Sequence, residues 1–412
     1  MPGPHAHDRF SFTAQPPDVP TIVRAEGVEL ITADGRRILD AAGGAVVNNI
    51  GHGRTEVADA VAAAMRDLGY VVPIWPTPNR LELIDTLVER WLPDGFDHVF
   101  LAGGGSEAND SAIRLARMHH VARGDDRRHK VIGRLPSYHG ATLATLAVGG
   151  HEARRSGYEP LLHEYPRVPW NDADALAGAI EAADPTTVSA FIAEPVIGAS
   201  GAALIAPTDY WASVSEVCRE YGVLTIADEV MTGFGRTGRR WGHDHDDWTP
   251  DIIVSAKGVG GGYVPLSLVS AHNRVVDPIT EAGRNVMFFT YSGHDASCAG
   301  ALVVLDILER EQLVERARIR GEQLRGMLTD ALGEHPAVAE VRGRGLMVGV
   351  ELAGVGSADV VAEALRRDVW IYPAGSGPAV NDGLLLAPPM IVDDADLARI
   401  VDVITDSLAA VR

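Results

Sequence analysis

The run Val223-Leu224-Thr225-Ile226-Ala227 closes on Asp228-Glu229-Val230, and a second run, Ile252-Ile253-Val254, stops just short of Lys257. Both runs have the length and β-branched content of buried strands. Two buried strands thus deliver an aspartate and a lysine to their carboxyl ends, the edge at which open α/β sheets place ligands.

Those two side chains make a chemically useful pair. A lysine amine condenses with an aldehyde only in its neutral form, which a partly desolvated site makes accessible by lowering its pKa. Pyridoxal phosphate is an aldehyde cofactor that also needs an acidic partner for its ring nitrogen, because the protonated ring draws electrons from the substrate carbon. Taken alone, an Asp is most often a cap and a Lys a solvated charge. Here they stand inside a longer pattern. Ala227-Asp228-Glu229-Val230-Met231-Thr232-Gly233-Phe234-Gly235-Arg236-Thr237-Gly238, followed by Ala256-Lys257-Gly258, resembles the class III, or omega, aminotransferases of pyridoxal phosphate fold type I, the amine-pyruvate transaminases among them. The resemblance covers about residues 25 to 410.

It implies an α/β fold whose large domain holds a mainly parallel sheet flanked by helices, with a smaller α+β domain beside it. The expected division is 1–50 as an N-terminal segment of the small domain, 51–304 as the cofactor-binding large domain and 305–412 as the C-terminal small domain. Lys257 is expected to carry the cofactor and shuttle the proton, with Asp228 on the ring nitrogen.

Composition is compatible with this and excludes other classes. A net charge of −20 disfavours nucleic acid and anionic membrane surfaces as partners. Apolar residues are 46% and charged residues 22%, which is ordinary for a globular chain. No apolar run reaches the ~18 residues of a transmembrane helix. Cys218 and Cys298 are too few for a disulfide framework and read as reduced core thiols. Residues 1–20 are rich in proline and lack a signal peptide's apolar core, so they read as an irregular arm of a cytoplasmic protein.

Along the chain, the turn signals Glu26-Gly27 and Asp34-Gly35 predict a small meander over 22–40. Helices are expected over 55–68 and 79–91, the second with a capping-box-like start at Asn79 and Glu82. Residues 97–101 read as a strand leading into Gly103-Gly104-Gly105-Ser106 and a helix over 107–123; 131–135 and 188–193 read as further strands. A helical stretch from 296 to 332 is expected to break at Gly321. The remainder alternates, with a strand over 345–352, a helix over 357–367, short strands over 369–372 and 384–387, and a last helix over 394–410.

The other candidate site residues come from motifs. Glycines allow close backbone approach, and the free N–H groups opening a helix bind anions. Gly-Ser-Glu-Ala-Asn matches the family's phosphate-binding segment, which assigns Gly105 and Ser106 to the cofactor phosphate. Tyr138-His139-Gly140 matches the motif whose aromatic ring stacks on the pyridine. Val230 is expected on the opposite ring face, and Glu194, from Glu194-Pro195, beside the cofactor. Thr290-Tyr291-Ser292-Gly293-His294 matches the segment whose threonine reaches the phosphate in the neighbouring subunit, implying a homodimer with shared active sites.

For the substrate pocket the resemblance points to Val46, Trp75, Met287 and Phe288. Val46 stands where a tryptophan is common, and Met287-Phe288 stand where His-Gly is usual. No arginine lies in 371–387, where amine-pyruvate transaminases commonly hold a substrate carboxylate; Tyr372-Pro373-Ala374-Gly375-Ser376-Gly377-Pro378 stands there instead. An amine without a carboxylate is therefore expected to rival alanine as donor.

Three patterns mislead. Gly233-Phe234-Gly235-Arg236-Thr237-Gly238 satisfies GxGxxG, but no helical periodicity follows, so a nicotinamide oxidoreductase lacks its required helix. His243-Asp244-His245-Asp246-Asp247 lacks a metal-ligand pattern and reads as solvated surface. Gly258 to Gly262 reads as flexible backbone beside the lysine. The expected activity is amino transfer between a small-molecule amine or amino acid and an oxo acid, aldehyde or ketone, with no metal. A racemase, aminomutase or decarboxylase shares the early steps, and a non-catalytic binding protein is a further alternative.

Overall fold

The computed structural model describes residues 19–246, 248–284, 287–377 and 379–411. Most of the expected N-terminal arm, Asp247 of the His-Asp cluster and Pro378 of the glycine-rich loop lie outside the described residues.

The strands run in chain order as β1 (Ile22–Glu26), β2 (Glu29–Thr32), β3 (Arg37–Asp40), β4 (His98–Ala102), β5 (Lys130–Leu135) and β6 (Arg167–Pro169). Next come β7 (Val188–Ala193), β8 (Val196–Ile197), β9 (Leu204–Ile205), β10 (Leu224–Asp228), β11 (Ile252–Ser255) and β12 (Ser267–Ala271). The last are β13 (Val338–Arg344), β14 (Met347–Leu352), β15 (Val369–Trp370), β16 (Tyr372–Ala374) and β17 (Gly383–Leu386).

The central sheet has the order β4-β12-β11-β10-β7-β5-β6. Only β12 is antiparallel to its neighbours; the pairings of β11, β10, β7, β5 and β6 are parallel. Every residue of β7 and β10 is buried, as a parallel strand covered on both faces requires. Alternate side chains serve opposite faces. Ile226, with Ile192 and Val254, packs under Ala108, Ala112 and Ala116 of the helix Gly105–Ala122. Ala227, with Phe191 and Ala193, packs under Leu176, Trp211 and Val214 on the other side. The helix Tyr210–Tyr221 ends at Gly222, whose left-handed φ of 64° turns the chain into β10.

With Ile226 opposite Ile252, β10 and β11 leave the sheet at the same edge and in register. This places Asp228 and, after Ser255, Lys257 at one carboxyl end. The meander β1-β2-β3 is extended by β15, which pairs in parallel with β3. A separate antiparallel sheet has the order β13-β14-β17-β16.

Several local expectations are corrected. The helix break falls at Gln312, with φ of 53°, between Asp295–Arg310 and Leu313–Leu332. Gly321 lies inside the second helix, where a side chain would collide with the Gly345 backbone; the glycine permits close packing and does not end the helix. The helix expected to start at Asn79 begins at Pro78 with Thr77 as N-cap, and Asn79 Nδ2 instead donates to Asp295 Oδ2 at 2.6 Å. The phosphate-segment helix begins at Gly105, two residues earlier than expected. The strand β13, unread in the sequence, carries the Arg342-Gly343-Arg344 segment.

The His243 cluster is not solvated surface. His243 is buried and its Nδ1 lies 2.7 Å from Glu229 Oε1, while Arg344 pairs with Asp246. Buried Glu229 also accepts the Gly242 and His243 N–H groups, so the turn after β10 is clamped from within.

Candidate active site

Asp228 ends β10 fully inside the protein. Its Oδ2 accepts from Asn109 Nδ2 at 2.9 Å and lies 2.8 Å from His139 Nδ1, and its Oδ1 accepts the Val230 N–H at 3.1 Å. Asn109 stands one turn beyond Gly105 on the same helix face, so the helix that opens at the glycine turn also braces the aspartate. Asn109 Nδ2 donates to the His139 carbonyl as well, tying the helix to the loop after β5.

Lys257 sits after β11 with a positive φ of 42°, a conformation a non-glycine residue adopts only under constraint. Its amine donates to the Ala45 carbonyl at 2.9 Å. Burial is the main cause that lowers its pKa to about 8, while Asp228 and Glu194 pull it back upward and Arg154 and Arg236 push it down. The neutral fraction near neutrality is therefore raised far above that of an ordinary lysine.

Glu194 follows β7, and its oxygens accept the Tyr138 N–H at 2.9 Å and the Gly198 N–H at 3.1 Å. Burial raises its pKa. Ser106 Oγ accepts the Ala141 N–H at 3.0 Å, so the loop 138–141 runs from Glu194 past Asp228 to the start of the helix.

These groups line one cavity of about 270 Å³: Gly105, Ser106, Tyr138, Glu194, Asp228, Val230 and Lys257 all face it. A larger cavity of about 600 Å³ opens at the other end of β10, against Leu224 and Thr225, and contains none of them. The smaller one is the candidate site because position at the carboxyl edge and paired titratable groups outweigh size.

The remaining sequence candidates stand elsewhere. Val46 is buried in an apolar cluster with Ile197, Met347 and Ala387, next to the Ala45 carbonyl that holds Lys257. Trp75 and Phe288 are exposed. Thr290 is exposed too, between Phe288 and exposed Tyr291. Met287 lines a separate cavity with His98, Phe100 and Ile279. The sequence reading gave no role to Asn109, His139, Arg154, Met231 or Tyr372, which also line the candidate cavity. Asn109 and His139 were within reach, being inside quoted motifs and one turn or one residue from an assigned position; nothing in the sequence pointed to Arg154.

The donor set fits pyridoxal phosphate. A buried carboxylate braced by Asn109 and His139 suits a protonated ring nitrogen, since its negative charge is already positioned and supported. The first N–H groups of Gly105–Ala122, with the Ser106 hydroxyl, suit a phosphate. A lysine whose pKa is near 8 suits an aldehyde. Among the described residues there is no group of three metal-ligating side chains.

Comparison with known proteins agrees with this chemistry. The aminotransferase class-III family matches residues 13–408. An uncharacterized aminotransferase of Bacillus subtilis, YhxA, is 37% identical, with 98% of this chain and 94% of that protein covered. The putrescine–pyruvate aminotransferase of Pseudomonas aeruginosa is 32% identical over 92% of this chain and 88% of its own length. Among solved structures, the omega transaminase of Pseudomonas jessenii in complex with PMP superposes with a TM-score of 0.93 at 28% identity, covering 100% of this chain and 98% of that one.

Proposed function

The chain belongs to the class III aminotransferases, pyridoxal-phosphate-dependent enzymes that move an amino group between an amine or amino acid and an oxo acid, aldehyde or ketone, and we propose that it acts as an omega-type amine transaminase through Lys257 and Asp228. The observation that carries this reading is the convergence, in one cavity, of a buried carboxylate and a pKa-lowered amine at the carboxyl ends of adjacent parallel strands.

Bound pyridoxal phosphate supplies an electron-withdrawing ring that stabilises negative charge on the substrate carbon bearing the nitrogen. Lys257 would hold the cofactor through its neutral amine and, when free of it, would carry the proton during amino transfer. Asp228 keeps the ring nitrogen protonated, held in place by Asn109 and His139. Tyr138 and Val230 line the cavity, where they would flank the ring and exclude water. Gly105 and Ser106 bind the phosphate through backbone N–H groups and a hydroxyl. Glu194 fixes the backbone at Tyr138 and so sets the ring's height above the cavity.

The enzyme is proposed to be a homodimer whose Thr290 completes the neighbour's phosphate site, with Met287 and Phe288 in the pocket wall it contributes to the neighbour and Trp75 near the active-site mouth. Exposure of Trp75, Phe288, Thr290 and Tyr291 on one chain supports this, because exposed aromatic groups mark interaction surfaces. The proposed domains are 1–50 with 305–412 as the small unit and 51–304 as the large one; the pairing of β15 with β3 supports joining the first two segments. A cytoplasmic location is proposed, supported by two buried, unbridged thiols, Cys218 and Cys298. No helix among the described residues is long and apolar enough to cross a membrane.

Borohydride reduction of the holoenzyme followed by peptide mapping tests the assignment. The cofactor mass is expected on the peptide containing Lys257; its appearance on any other lysine refutes the role given to this one.

A further inference from the structure

Residues 371–387 lack the arginine that would hold a substrate carboxylate, yet a guanidinium does reach the cavity from elsewhere. Arg154, on the short helix Glu152–Arg155, lines it together with Lys257 and Tyr138. Its Cζ stands 4.4 Å from the centre of the Tyr138 ring. A guanidinium over an aromatic face is held by cation–π attraction while its N–H edge stays free for other partners.

The other charges nearby are already occupied. Arg236 is buried and spends its N–H groups on the carbonyls of Leu346 at 3.1 Å, Pro388 at 2.6 Å and Asn48 at 3.1 Å. Arg134 donates to the carbonyls of Trp170 and Glu194. The two cavity carboxylates, Asp228 and Glu194, take their hydrogen bonds from Asn109, His139, Val230, Tyr138 and Gly198. Among the described residues the Arg154 guanidinium, unlike these, makes no side-chain hydrogen bond or ion pair, and its contact is with the Tyr138 ring.

We propose that Arg154 is the carboxylate-binding, specificity-determining residue of the substrate pocket, taking the carboxylate of an α-amino acid or oxo acid while the substrate nitrogen is at Lys257. This rests on the aminotransferase reading of the same site. An arginine pairs with a carboxylate through two parallel charge-assisted hydrogen bonds, a geometry that a neutral substituent cannot reproduce. The cofactor's phosphate is the competing anion. The guanidinium stands against the Tyr138 ring, and the cofactor-affinity measurement separates the two anions. On this proposal the amino acid is preferred over carboxylate-free amines, the reverse of what the missing arginine in 371–387 leads one to expect.

Three proteins decide it: the wild type, Arg154→Ala and Arg154→Lys, each as holoenzyme. Propionate, a carboxylate that cannot transaminate, is titrated calorimetrically; alanine and an arylalkylamine are compared as donors; and pyridoxal phosphate affinity is measured by equilibrium dialysis. Propionate affinity and the alanine specificity constant are expected to fall roughly 10- to 100-fold in the Ala variant, chiefly through KM. With an aldehyde acceptor, which carries no carboxylate, arylalkylamine turnover should stay near wild type, as should cofactor affinity, and Lys should restore part of the loss. Unchanged propionate binding overturns the proposal even if no donor is turned over, which would count separately against the aminotransferase reading. A joint fall for both donors with weakened cofactor binding also overturns it, assigning Arg154 to the phosphate.

Discussion

At the scale of single residues, Lys257 and Asp228 make opposite demands on the same buried space. Desolvation lowers the lysine to about 8 although two carboxylates oppose it. In the apoprotein, folding therefore favours the neutral amine. Between about 8 and the ordinary value of 10.5 the unfolded chain binds more protons than the folded one, so stability rises with pH across that window and the cost is fully present below it. The measurable consequence is a pH-dependent gap between apo wild type and apo Lys257→Ala. Denaturant titrations at pH 7.5 and 10 should show the gap moving in favour of wild type at the higher pH, and a pH-independent gap would contradict the lowered pKa. On the proposed roles, Lys257→Ala also abolishes turnover in a folded protein. Asp228→Asn should reduce kcat by orders of magnitude with only modest loss of cofactor, because an amide cannot hold the ring nitrogen protonated; near-normal kcat would remove Asp228 from the proposed chemistry. Both residues were legible in the sequence because each ends a short buried run. Arg154 was not, since its proximity to Tyr138 depends on how the short helices Leu143–Val148 and Glu152–Arg155 fold the chain back, which no local pattern encodes.

At the scale of elements, buried strands were read closely because continuous apolar composition leaves few alternatives. Residues 188–193 and 224–228 fold as strands within a residue of expectation, as does the capped last helix Asp394–Ala410, where Asp393 accepts the Asp396 N–H. Glycine was misread when its use was tertiary. Gly321 looked like a helix breaker, yet it lies mid-helix against the Gly345 backbone. Gly→Ala in an exposed helix interior stabilises by roughly 0.5–1 kcal/mol, whereas overpacking typically costs about 1–3 kcal/mol. Gly321→Ala is accordingly expected to lower stability, with the loss visible as a reduced denaturation midpoint; a stabilised variant would show that the two segments separate easily. The His243 cluster was misread for a related reason, because Glu229, which buries and pairs it, is distant in the pattern although adjacent in space.

At the scale of the whole molecule, one chain holds the lysine, the aspartate and the helix terminus, while Thr290 lies exposed away from the cavity. If a second copy supplies that threonine, Lys257→Ala and an inactive Thr290 variant should complement each other. After subunit exchange, one composite site of the heterodimer carries both lesions and the other carries neither, so up to half of the activity per heterodimer returns. Demonstrated exchange with no recovery would make the sites independent. The expectation of a shared-site dimer rests on resemblance alone, because exposed aromatics have no periodic signature of their own. The central claim, that this cavity carries out amino transfer with pyridoxal phosphate, is tested most directly by following the visible absorption of the holoenzyme through two half-reactions. Adding an amino donor without acceptor should convert the cofactor stoichiometrically to its aminated form, and adding an oxo acid should restore the spectrum while releasing the matching amino acid. A spectrum that changes with donor but never passes nitrogen to an acceptor would contradict it.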